Sequence, residues 1–140
     1  AMELGADGVI NGAQEDVIER VKQITENRGM DLVIETAGTE ITTRQAVRVA
    51  KKGSDIVLVG YSKSGEITLP VSLILDKELT LKSVFRYRHI YPMAIEAVAS
   101  GKVNLKGIVT DIFPLDEVQK AMDYSVNNKN DIVKAVIQIA

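Results

Sequence analysis

Two apolar runs set the terms on which this chain can fold. Leu32-Val33-Ile34 and Ile56-Val57-Leu58-Val59 are continuous rather than alternating, and each is bounded by turn residues. A short unbroken run of this kind predicts a strand covered on both faces by helices, as in parallel sheets. Between them, residues 42–52 carry Ala46, Val47, Val49 and Ala50 on one helical face, and Gly53 supplies the stop. Strands over 31–38 and 55–60 joined by that helix read as a right-handed crossover unit. The fold class is therefore α/β with parallel core strands.

The flanking segments extend the pattern and then change it. Residues 1–4 read as the last turn of a helix ended by Gly5, a left-handed terminator that costs glycine little. Residues 8–11 read as a short apolar strand. A helix end with no beginning predicts that the chain continues a longer protein, with a frayed natural N-terminus as the alternative. Residues 14–28 place Val17, Ile18, Val21 and Ile24 on one helical face. Beyond residue 60 come a polar turn over 65–70 and one or two helical turns over 71–77. Leu79, Leu81, Ser83 and Phe85 alternate with Thr80, Lys82 and Val84, as in an edge strand. A helix opens at Pro92, buries Ile95, Val98 and Ala99, and ends at Gly101. A strand over 107–113, an amphipathic helix over 115–126 and a last strand over 132–139 complete the chain.

Composition narrows the chemistry. Lys and Arg number 17 against 19 Asp and Glu, a net charge of -2 with no basic block, which argues against a nucleic-acid surface. No apolar run approaches the ~20 residues of a membrane helix, and the N-terminus lacks a signal-peptide layout, so a soluble cytoplasmic domain is expected. The absence of cysteine excludes disulfides, thiolate zinc sites and cysteine nucleophiles. With His89 the single histidine, a complete histidine-based metal site is implausible too.

In open parallel sheets, ligands bind beyond the carboxyl ends of the strands. Three such ends are legible. The first is Glu35-Thr36-Ala37-Gly38, the second Val59-Gly60-Tyr61-Ser62, the third Val84-Phe85-Arg86-Tyr87. Small residues at the first two admit a flat ligand to the backbone, and the third offers an aromatic wall, a cation and a phenol. Together they suit an anionic, partly aromatic ligand such as a dinucleotide. Each feature also has a plainer reading. Gly38 and Gly60 serve equally as turn glycines, Arg86 as a solvated cation, Tyr87 and Tyr91 as packing residues. His89 reads as a loop residue, and Glu35 as a cap for a following amide. No glycine-rich G-x-G-x-x-G fingerprint occurs, and no nucleophile–base constellation.

Taken in order, four segments carry a family resemblance. They are Glu3-Leu4-Gly5-Ala6-Asp7, the 31–38 stretch, Val57-Leu58-Val59-Gly60-Tyr61 and Val84-Phe85-Arg86-Tyr87. This succession resembles the zinc-dependent medium-chain alcohol dehydrogenases. With Tyr91-Pro92-Met93-Ala94-Ile95 and Phe113-Pro114-Leu115-Asp116 added, it looks most like the sorbitol (L-iditol) and xylitol dehydrogenase branch. The resemblance implies NAD-dependent oxidation of a secondary alcohol of a sugar alcohol to a ketone, with zinc as Lewis acid. Carried over by position, Val59, Gly60, Tyr61, Val84, Phe85 and Arg86 border the nicotinamide half of the cofactor. Thr36, Ala37 and Gly38 lie near its adenosine side, while Arg86 and Tyr87 reach the polyol. Tyr61 departs from the smaller or aliphatic residues common in relatives. Butanediol and threonine dehydrogenases are alternatives within the superfamily, and a non-catalytic nucleotide- or partner-binding module is one outside it.

The same resemblance implies a partial Rossmann domain over 1–100, lacking its first two strands, and a tail over 101–140 that normally completes the catalytic domain. The zinc ligands and the glycine-rich loop belong to segments upstream, so zinc is expected in the full-length enzyme only and this chain alone is expected to be inactive, with weak dinucleotide affinity. Strand 8–11, deprived of its neighbours, is expected either to slide beside the 31–38 strand or to leave that edge to another copy. The 79–85 strand is a second edge through which homo-oligomers are expected. The tail strands are expected to be displaced.

Overall fold

The Leu-Val-Ile run does open a strand, and a helix cap prepares it. The computed structural model describes every residue except Arg88 and Ala140. These residues form two compact units, Gly8–Arg86 on one hand and Ala1–Asp7 with Tyr87–Ala140 on the other.

In the first unit, the Asp16 carboxylate accepts the amides of Ile18 (2.8 Å) and Glu19 (3.1 Å) and starts α1, Val17–Ile24. Such a cap contributes about 1 kcal/mol. The chain leaves α1 through left-handed Glu26, Asn27 and Gly29 into β1, Met30–Glu35. Gly29 is required twice over. Its φ is 81°, and a Cβ there would stand 2.9 Å from the Val49 carbonyl oxygen. Thr39 caps α2, Glu40–Val49, which leads into β2, Ala50–Leu58; α3, Val71–Asp76, and β3, Thr80–Ser83, follow. The sheet runs β1-β2-β3 and is parallel throughout, with Val33 opposite Ile56 and Ile56 opposite Leu81.

The core lies on one face of that sheet. Val47 is 1% exposed and Ile56 0%, joined by Ala46 and Ala50 and flanked by Val33, Leu58, Leu69, Leu73, Ile74 and Leu79. On the opposite face of β1, Leu32 and Ile34 are 54% and 58% exposed. The expectation that helices cover both faces of this strand is met on one side only.

Several boundaries differ from the sequence reading, each for a local reason. α1 occupies only the middle of 14–28, because Asp16 caps at its start and Thr25 closes its end, donating its hydroxyl to the Val21 carbonyl at 2.6 Å. α2 stops at Val49 rather than at residue 52. Ala50 turns extended into the core, and the Lys77 ammonium donates to the carbonyls of Val47, Arg48 and Ala50 at 3.1, 2.7 and 2.7 Å. β1 and β2 end before the glycines, at Glu35 and Leu58, where the chain turns to build the loops described below.

The 8–11 segment forms no strand and pairs with none among the described residues. Asn11 is committed locally instead. Its carbonyl accepts the amides of Gln14 and Glu15, its own amide donates to the Glu15 carboxylate, and its side chain accepts the Ala13 amide. A strand sliding beside β1 is overturned, because among the described residues β1 pairs with β2 alone, and at Asn11 these turn bonds use the groups a ladder would need.

In the second unit, Met2–Leu4 is a 3-10 turn ended by Gly5 at φ 95°, whose amide donates to the Met2 carbonyl. The terminator is as expected, on a tighter helix. Pro92 lies in the first turn of α4, Tyr91–Ala99. The strand expected over 107–113 is shortened to β4, Asp111–Pro114, because Lys106–Ile108 closes into a 3-10 turn. α5, Val118–Asn127, links β4 to β5, Ala135–Gln138, and the two strands pair in parallel with Asp111 opposite Ala135. The tail strands thus satisfy each other. Among the described residues, no helix is long and apolar enough to cross a membrane.

Candidate functional site

The carboxyl ends of the first unit's strands are tied together by one buried side chain. Glu35, 5% exposed, accepts the amides of Ala37 (2.9 Å) and Gly38 (3.0 Å) and the Thr42 hydroxyl (2.8 Å) on its carboxylate. Its backbone carbonyl accepts the amides of Val59 (2.8 Å) and Gly60 (3.0 Å). A buried carboxylate needs such partners. The capping role read for Glu35 is correct, and Thr42 is the partner that reading missed. Its signal was the Thr39-x-x-Thr42 spacing, since Thr39 accepts the Thr42 amide at 3.2 Å and so aims Thr42 back over the strand end.

Gly38 and Gly60 meet in this arrangement. Gly38 is left-handed at φ 66°, and a Cβ there would lie 2.6 Å from both the amide nitrogen and the carbonyl oxygen of Tyr61. A Cβ on Gly60 would fall onto the Gly38 amide nitrogen and 2.6 Å from Glu35 Oε2. The atoms pressed against these glycines are protein backbone and, at Gly60, the Glu35 carboxylate as well, so Gly38 is a turn glycine and both are close-approach glycines.

The third strand end joins the second through the Val84 amide, which donates to the Leu58 carbonyl at 3.0 Å. Val59, Tyr61, Val84 and Phe85 are all well exposed there, an apolar rim around loops whose polar groups are mostly spoken for. The Arg86 guanidinium stacks over the Phe85 ring at 5.0 Å and, among the described residues, has no carboxylate partner. Thr36 and Ala37 line a cavity of about 260 Å³ with Val17, Thr42 and Gln45. Residues 36–38, 59–61 and 84–86 therefore come from three adjacent strand ends of one sheet.

Tyr87 belongs to the other unit, where its ring meets Tyr91 edge-on at 5.5 Å. The packing reading of both tyrosines describes that contact. His89 is exposed at φ 54° in the turn before α4 and makes no hydrogen bond among the described residues, consistent with a loop residue. No group of three or more histidine, cysteine, aspartate or glutamate side chains is placed to hold a metal ion among the described residues.

A parallel sheet with helices packed on it and loops gathered at the carboxyl ends of its strands is a partial Rossmann fold, and that class is the first conclusion the geometry supports. The family follows from comparison. The family model described as zinc-binding dehydrogenase matches residues 1–100, and the chain belongs to that family. It is 45% identical over 140 residues to an uncharacterized zinc-type alcohol dehydrogenase-like protein, YdjJ, of Escherichia coli K12, covering 100% of this chain and 40% of that protein. It is 36% identical over 137 residues to sorbitol dehydrogenase of Bacillus subtilis, covering 98% of this chain and 39% of that enzyme. Among solved structures, an Escherichia coli oxidoreductase of unknown specificity matches with a TM-score of 0.91 at 45% identity, covering 99% of this chain and 40% of that one. The chain thus spans about 40% of the length of the relatives it matches.

Proposed function

We propose that this chain is the cofactor-side portion of an NAD-dependent polyol dehydrogenase that oxidises a secondary alcohol of a sugar alcohol to a ketone. The observation that carries the reading is the exposed rim of Val59, Tyr61, Val84 and Phe85 at parallel strand ends, beside an Arg86 guanidinium with no carboxylate partner. An apolar wall suits a flat nicotinamide. When bound, the dinucleotide supplies the hydride acceptor. Val59, Gly60, Tyr61, Val84, Phe85 and Arg86 orient its nicotinamide half, Thr36, Ala37 and Gly38 border the adenosine side, and Arg86 hydrogen-bonds the polyol hydroxyls. The likeness to a sorbitol dehydrogenase supports the substrate class.

Zinc does not fit the residues present. With no cysteine, one histidine and no metal-holding cluster among the described residues, this chain offers no ligand set, and no step is assigned to the metal here. In the whole enzyme, zinc is held by residues outside this chain, which by itself is inactive. Steady-state kinetics of the full-length protein carrying this chain test the reading, with sorbitol, xylitol, butanediol and threonine and with NAD or NADP. The highest kcat/KM is expected for sorbitol or xylitol with NAD. Preference for butanediol or threonine overturns the polyol assignment, and polyol turnover by the 140-residue chain alone overturns the division of labour.

A further inference from the structure

At the other end of the same strands, the carboxyl ends of α1 and α2 and the starts of β1 and β2 enclose a cavity of about 280 Å³. Its wall carries Lys22, Arg28, Arg48, Lys52 and Lys77, with Asn27 beside them, and no carboxylate among the described residues. The chain as a whole carries a net charge of -2, so composition does not explain five cations around one hollow.

Helix carboxyl ends attract cations, and that accounts for some of these. Lys22 pairs with Glu19 at 2.7 Å, outside the cavity wall, and Arg28 donates from Nε to the Thr25 carbonyl at 3.2 Å. Lys77 holds the last carbonyls of α2. Arg48 and Lys52 are left over. Among the described residues neither side chain has an ion pair or a hydrogen bond. Burial lowers the pKa of Lys77 from the ordinary lysine value. Five cations around one hollow outweigh the partial negative charge of the two helix carboxyl ends and concentrate a positive field on whatever enters.

We propose that this cavity binds a small, multiply charged oxyanion of the phosphate class, with Arg48 and Lys52 as its principal ligands and Arg28 in support; the Lys77 ammonium, its three donors already given to carbonyls, adds charge only. A guanidinium fork beside compact ammonium groups is the donor set that phosphate oxygens take. At about 3.3 Å per residue, the strands separate this cavity from the glycine loops by roughly 20 Å. The inference does not rest on the cofactor reading, because it uses none of the same residues.

The test is calorimetric titration of the 140-residue chain with inorganic pyrophosphate at low ionic strength, with amide NMR shifts to locate the site. Lys77 is left intact because α2 depends on it. The exposed pair is changed instead, as R48Q/K52Q, and K102Q/K129Q in the other unit serves as a control of equal charge loss. One saturable site is expected, with shifts at Gly29, Lys52 and Lys77, unchanged in the control and at least about tenfold weaker in R48Q/K52Q. The proposal is overturned by absent saturation, by equal affinity in R48Q/K52Q, by shifts centred on Gly38 and Gly60, or by binding to phosphatidylglycerol vesicles without binding to pyrophosphate.

Discussion

Gly60 lies so close to Gly38 that a Cβ on Gly60 would clash with the Gly38 amide nitrogen. The contact packs two strand-end loops together, backbone against backbone with the Glu35 carboxylate beside them. Gly38→Ala and Gly60→Ala are therefore expected to destabilise the chain by about 2 kcal/mol or more in urea denaturation, through overpacking and, at Gly38, left-handed strain. Gly53→Ala is the comparison. It is left-handed at φ 73° but has open space around its Cβ position, so strain alone should cost about 1 kcal/mol. Equal losses at the three positions would show that the close approach is not what matters.

Lys77 decides where α2 ends. Its ammonium serves the carbonyls of Val47, Arg48 and Ala50. Lys77→Met keeps the apolar stem and removes the donors, and is expected to cost about 1.5–3 kcal/mol, the range for hydrogen bonds to charged groups. Hydrogen exchange should quicken at the carboxyl end of α2 and the start of β2. Unchanged exchange there would assign the carbonyls to water.

Asp31 and Lys51 meet at 2.8 Å across the first turn of the β1–β2 ladder. The Lys51 hydrogen bond, and then its charge, hold the Asp31 carboxyl below the usual aspartate range. A folded pKa below the unfolded one means that the unfolded chain binds the proton more tightly. The pair's stabilisation is thus present above the unfolded value and is lost as pH falls through the folded one. Both side chains are largely exposed, so the effect on stability is small and screened by salt. Carboxyl-carbon NMR should show Asp31 titrating low in the wild type and moving up in Lys51→Met; no movement would dismiss the pair.

Arg86 stacks on Phe85 and has no carboxylate partner among the described residues. In the full-length enzyme, Arg86→Ala is expected to raise the polyol KM by roughly tenfold or more, the scale of one charge-assisted hydrogen bond lost. An unchanged KM would make Arg86 the solvated cation of the plainer reading.

Much of the first unit was legible because its signals are local. The unbroken runs at 32–34 and 56–59 announce parallel strands, and in the other unit Gly5 and Pro92 mark a helix end and a helix start. Glu35 could be read as a cap because its partners, the amides of Ala37 and Gly38, are two and three residues away. The failures came where a residue's partner is remote or where short turns compete with a ladder. Lys77 reaches back 30 residues to Val47, which no window around either would show. At 8–11, an apolar sequence with strand propensity yielded to the side-chain and backbone bonds of Asn11.

By itself, then, the sequence determined the alternation of strand and helix, the parallel sense of the core strands and the family to which they belong. Those are properties of hydrophobic period and of residues near one another in the chain. Tertiary structure alone decided that Gly38 and Gly60 face backbone and that Arg48 and Lys52 are left without acceptors. It also decided that β4 and β5 pair with each other. Each of these depends on which groups compete for the same space or the same hydrogen bond, and such competition exists only once distant segments have met.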